Sequence, residues 1–141
     1  MNTQHPDTQR ADDRAKFRFL PMLFAHDYVR GEQHVFQYAD RFLENYAGGE
    51  WVFIRLSAGG GFMQPGEDAW RFCNAENWSD VEVSAEAAGI IITAMVLNHR
   101  SWLYDRDGMT ELCEHACLRH GQLMAFADAH PEAAAIFRAL D

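Results

Sequence analysis

The chain has 141 residues and is poor in base: one lysine, Lys16, among 12 basic residues, against 21 acidic ones. The formal charge of −9 excludes a protein that coats DNA along its length by neutralising phosphates. Acid is also too sparse for the opposite role. Residues 1–63 carry 8 acids and 7 bases, whereas a duplex presents about one charge per 1.7 Å of axis. Any imitation of DNA would therefore be local. Long apolar runs are missing too. The longest, residues 87–97, is interrupted by Gly89 and Thr93 and falls short of the ~20 residues that cross a bilayer. The start, Met1 to Asp13, has no apolar stretch of a secretory signal. Cysteine is limited to Cys73, Cys113 and Cys117, an odd number at no framework spacing. Reduced thiols in the cytoplasm fit this pattern, and a disulfide scaffold does not. Gly-x-Ser-x-Gly, His-Glu-x-x-His and Cys-x-x-Cys are all absent, which removes the local signatures of three enzyme classes.

What is present is core-forming material. Apolar residues make up 48% and aromatic residues 13%, too much for a disordered polyanion. Residues 1–13 read as a flexible N-terminal tail and residues 14–141 as a single domain, with no linker and no internal repeat. An apolar segment, Phe17 to Tyr28, carries Pro21, which starts or breaks a helix. Over residues 32–47, Val35, Phe36, Ala39, Phe42, Leu43 and Tyr46 recur at steps of three and four. This predicts a helix with one buried stripe, stopped by Gly48 and Gly49.

The period then becomes two. Val52, Ile54 and Leu56 share one face of a strand, with Trp51, Phe53 and Arg55 on the other. Ala58 to Gly61 turns the chain into a return strand that Pro65 and Gly66 end. Residues 69–74 predict a third strand, and residues 81–83 allow a fourth. The short connections require antiparallel pairing. Ser84 caps a helix that is apolar nearly all round and therefore central. Residues 105–108 turn, a helix follows over about 109–129, and Pro131 opens a final helix over 132–140. The expected fold is α+β, with three or four antiparallel strands packed against four or five helices.

Candidate chemistry is thin. Cys113, Cys117 and His120 fall at i, i+4 and i+7 and share a helix face, so they could hold zinc. Met109, Leu112, Ala116, Leu123, Met124 and Ala127 continue that stripe, and buried cysteine behaves as a small hydrophobe. With no fourth ligand, no metal site and no cofactor are assigned. His115 lies off the stripe and is expected in solvent. Gly59-Gly60-Gly61 lacks the following helix and the lysine of a phosphate loop, so it reads as a turn. No catalytic residue is assigned, and the chain is expected not to be an enzyme. The uneven feature is acidic: Glu67, Asp68, Glu76, Asp80, Glu82 and Glu86 face Arg71 alone within residues 64–86. Such a surface attracts a basic partner; equally, it is a solvated edge that discourages sheet pairing. Trp78, in a polar loop, is the candidate contact tryptophan. The expected partner-binding surface is Trp78, Asp80, Glu82 and Glu86.

Several segments taken in order carry a resemblance. They are Gly48-Gly49-Glu50-Trp51-Val52-Phe53, then Leu56-Ser57-Ala58-Gly59-Gly60-Gly61-Phe62-Met63-Gln64-Pro65 and Trp70-Arg71-Phe72-Cys73-Asn74. Val83-Ser84-Ala85-Glu86-Ala87-Ala88-Gly89-Ile90, His130-Pro131-Glu132-Ala133-Ala134-Ala135-Ile136 and Arg138-Ala139-Leu140-Asp141 follow. Over about residues 15–141 the chain resembles the ArdB/KlcA antirestriction proteins, KlcA-type members most. The resemblance implies a compact mixed helix–sheet domain of unusual topology, encoded on a plasmid or mobile element. It implies a cytoplasmic protein that protects incoming unmodified DNA from type I restriction. Its partner would be the restriction–modification enzyme, reached directly or indirectly; apart from the resemblance, no direct nucleic-acid binding, no membrane and a monomeric state are expected. It supplies no catalytic residues. Residues 75–80 depart from the expected pattern, since a small glycine-containing turn is expected there and none is present. The competing readings are an adaptor for another regulatory protein and a thiol or metal enzyme built on Cys113, Cys117 and His120.

Overall fold

The computed structural model describes residues 7–141. Its elements run β1 (Thr8–Arg10), α1 (Lys16–Phe24), a 3₁₀ turn (Ala25–Asp27) and α2 (Tyr28–Phe42). Four strands follow: β2 (Trp51–Leu56), β3 (Gly61–Pro65), β4 (Trp70–Asn74) and β5 (Ser79–Val83). Three helices complete the chain: α3 (Ala85–Arg106), α4 (Thr110–Asp128) and α5 (Ala133–Leu140). The strands form a three-stranded sheet, β1-β2-β3, and a separate hairpin, β4-β5. All pairing is antiparallel. The α+β expectation holds, with the strands divided between two small sheets.

The core is organised around α3, which is 22 residues long. Ile90, Ile91, Ile92, Val96 and Leu97 are buried within it, so no face of this stretch is left for solvent. Gly89 lets the helix lie directly on β3. A Cβ there would come within 2.5 Å of the Met63 carbonyl oxygen and 2.8 Å of the Gln64 Cα. One turn on, Thr93 Oγ1 accepts the Met63 amide at 3.1 Å, so a strand donor directed away from β2 finds a partner inside the core. Every residue of β3 is buried as a result.

Five local expectations change, the first at Pro21, which lies inside α1 and neither starts nor breaks it. Thr8–Arg10 pair with Leu56, Arg55 and Ile54, so this part of the expected tail is a strand; residues 1–6 lie outside the described residues. The helix expected over 32–47 begins at Tyr28 and ends at Phe42. Leu43 turns extended and bridges to Phe72, and the Glu44 amide donates to the Arg71 carbonyl. Pairing with β4 thus displaces the last helical turn. The final helix begins at Ala133, because Pro131 and Glu132 form a turn. His115 is half-buried, with Nε2 2.8 Å from the Met22 carbonyl oxygen, where solvent was expected.

Candidate interaction surface

Two short loops and one helix start place the expected contact residues. The β4-β5 hairpin pairs Asn74 with Ser79, leaving residues 75–78 as its loop. The loop is built from side chain to backbone: the Glu76 amide donates to Asn74 Oδ1 and the Ser79 amide to Asn77 Oδ1, both at 3.0 Å. These are the local turns that asparagine makes with the backbone two residues on. Trp78 closes the loop at φ +61° and is 86% exposed. The left-handed region costs an ordinary side chain about 1–2 kcal/mol. The missing glycine of residues 75–80 is therefore a missing glycine at a left-handed position.

Asp80 and Glu82 share the outward face of β5. Cross-strand, Asp80 faces Cys73 and Glu82 faces Arg71. Arg71 makes two 2.6 Å hydrogen bonds to Asp80 and a 3.2 Å ion pair to Glu44. The hydrogen bonds from Arg71 hold the Asp80 carboxyl below its ordinary value. Among the described residues Glu82 has no ion pair. Trp78, Asp80 and Glu82 thus belong to one exposed hairpin. Glu86 does not join them at the surface. It sits half-buried in the first turn of α3, 2.7 Å from His130 Nε2.

That contact belongs to a clasp between two segments far apart in sequence. The Glu132 amide donates to His130 Nδ1 at 2.9 Å, so Nε2 carries the proton and donates to Glu86. Ser84 donates its amide and its hydroxyl to the two carboxylate oxygens of Glu132, at 2.9 and 2.5 Å. The same hydroxyl accepts the Ala87 amide and caps α3. A serine, a histidine and two carboxylates meet here, the residue types of an acyl-transfer site. The bonding is different. Both ring nitrogens of His130 are engaged elsewhere, and the Ser84 hydroxyl faces a carboxylate, so the group joins the starts of α3 and α5.

A second polar cluster went unread in the sequence. Arg100, buried in α3, donates to Asp27 Oδ2 at 2.6 Å and to Tyr104 Oη at 2.8 Å, and its third nitrogen lies 3.4 Å from His34 Nδ1. Tyr104 also donates to Asp27, at 2.7 Å. Burial raises the Asp27 carboxyl, and the hydrogen bonds from Tyr104 and Arg100 outweigh it, leaving the group below its ordinary value. Burial, with His99 and Arg100 alongside, pushes His34 down to about 4. Asp27, Arg100 and Tyr104 line a cleft of about 860 Å³ whose walls include Val29, Leu103, Met109 and Leu112. One sequence signal pointed there: an arginine inside an apolar helix needs a buried partner. The thiols are less enclosed than the helix stripe suggested, with Cys117 exposed and Cys113 half-buried. Among the described residues no group of three or more His, Cys, Asp or Glu side chains is placed to hold a metal ion.

The family model described as antirestriction protein matches residues 44–141. This chain belongs to the antirestriction protein family. The putative antirestriction protein YubI of Escherichia coli K12 is 41% identical over 141 residues, the full length of both chains. An antirestriction protein KlcA of Escherichia coli is 36% identical over 140 residues, covering 94% of this chain and 91% of that one. A solved structure superposes with a TM-score of 0.78 at 33% identity, covering all of both chains. It comes from work describing KlcA and ArdB as having a novel fold and antirestriction activity against type I DNA restriction systems in vivo but not in vitro. The resemblance read from the sequence is thus established. Ser84 with Glu86, and His130 with Glu132, lie within two of the segments that carried it, and they bond to each other.

Proposed function

We propose that the chain protects incoming unmodified DNA from type I restriction, without catalysis, through a protein surface centred on the β4-β5 hairpin. Trp78, Asp80 and Glu82 form the contact, and Glu86 fixes the helix start behind it. The carrying observation is the full-length relation, in sequence and fold, to the KlcA/ArdB structure. The acidic surroundings of the hairpin support a protein contact over a nucleic-acid one, because phosphate is repelled. The protein acts as a monomer in the cytoplasm, where entering DNA is cut. Among the described residues no helix is long and apolar enough to cross a membrane.

A second reading concerns the route. KlcA and ArdB act in vivo and not in vitro. That favours an indirect path, in which another cellular component stands between this protein and the restriction enzyme. Plating of unmodified phage on a type I restricting host tests the function: expression raises plating severalfold or more. Unchanged plating at verified soluble expression contradicts it. Purified restriction enzyme, DNA and protein then separate the routes. Undiminished cutting in that mixture, with protection in cells, supports the indirect one.

A further inference from the structure

Trp78 is placed at a cost that folding does not return. Its backbone holds φ +61°, at the end of a hairpin loop where glycine or asparagine is at ease. Its ring is 86% exposed, so little burial offsets the strain. Bulky residues held at positive φ persist where the surroundings over-determine them, and they cluster at functional sites. The surroundings here do so. Asn77 Nδ2 donates to the main-chain oxygens of Ala139 and Asp141, both at 2.9 Å. Ser79 Oγ donates to the Arg138 carbonyl, and Arg138 Nη1 returns a bond to the Asn77 carbonyl, each at 3.1 Å. The end of α5 therefore grips the loop from both sides of Trp78 and holds the indole out on a fixed mount.

Acids outnumber bases around the mount. Glu44, Asp80 and Glu82 lie on or beside the outward face of the hairpin with Arg71 between them, and Arg138, which bonds the loop backbone, is a further base. Glu76 in the loop is matched by Arg41 at 2.9 Å. We propose that Trp78 is the anchor of a contact with a protein that presents an apolar slot rimmed by basic side chains. A preformed aromatic anchor loses little entropy on docking, and tryptophan is among the residue types enriched where such contacts concentrate their energy. This inference rests on the antirestriction reading and names the chemistry of the partner of its surface.

The test uses the full chain with Trp78→Gly and Trp78→Asn, both of which tolerate the left-handed backbone. Each is expected to melt at or above the wild-type temperature and to lose roughly tenfold or more of the protection seen in phage plating. Trp78→Phe is expected to keep part of it. Glu82→Lys, which sets a lysine opposite Arg71, is expected to lower protection in protein that remains folded. Full protection by a well-folded Trp78→Gly or Trp78→Asn overturns the anchor, and full protection by Glu82→Lys overturns the basic rim. Purified protein titrated with duplex and single-stranded oligonucleotides at low salt supplies the remaining arm. A fluorescence change that Trp78→Phe abolishes would assign the indole to nucleic acid and overturn the protein partner. If the wild type itself fails to protect, the antirestriction reading falls, a result distinct from all of these.

Discussion

At the scale of single residues, the molecule separates groups that stabilise it from groups it exposes. His34 is of the first kind. It accepts from Arg100 and packs edge-on against Tyr38 and His99, with ring centroids 4.6 and 4.9 Å away. Its folded-state value, about 4, lies below the ordinary 6.5, so the unfolded chain binds the proton more readily. Between those values stability must fall as pH falls. The lowered Asp27 carboxyl acts in the same sense at still lower pH. Thermal melts from pH 7 to pH 4 are expected to show a falling midpoint, and His34→Gln is expected to flatten the upper part of that fall. A midpoint independent of pH across this window would contradict the buried neutral imidazole. The sequence marks Arg100 as an arginine that needs a buried partner, and it does not name His34 or Asp27 as that partner. His34 and Arg100 come from different helices, and only their packing brings them to 3.4 Å.

At the scale of elements, legibility follows the source of order. The cap, the apolar girth and the central place of α3 were readable because they are local properties of Ser84 and the residues after it. The strand Thr8–Arg10 was not, since Thr-Gln-Arg has no apolar alternation and its order comes from pairing with β2. The end of α2 was misread for a related reason: Leu43 satisfies the helical period as well as it satisfies a bridge to Phe72. Two variants test the elements. Gly89→Ala replaces the poorer helix former and would stabilise a free helix by about 1 kcal/mol. Against β3 it is expected to destabilise by about 1–3 kcal/mol in urea melts, because the new methyl meets the Met63 carbonyl. Stabilisation would mean that α3 does not rest on β3. Ser84→Ala removes the cap and leaves a Glu132 oxygen without its donor. A loss of about 1–3 kcal/mol is expected, read in the same melts. A neutral result would show that the clasp between α3 and α5 contributes nothing.

At the scale of the whole molecule, the two sheets have different roles. The β1-β2-β3 sheet is covered by α3 and supports the core. The β4-β5 hairpin packs one face inward through Phe72 and Val83 and turns Asp80, Glu82 and its tryptophan loop outward. The sequence located this surface through its acidity and a tryptophan in a polar loop. Glu86 was grouped with it by nearness along the chain, while the fold assigns its carboxylate to His130. The left-handed backbone of Trp78 had one trace in the sequence, the absence of an expected glycine. The most direct measurement compares plating of unmodified phage on one type I restricting strain carrying empty vector, the wild-type gene or the Trp78→Gly gene at equal soluble protein. High plating with the wild type and near-vector plating with the variant is the expected result. Equal plating for all three strains, or for the two proteins, would contradict a molecule that works through this exposed hairpin.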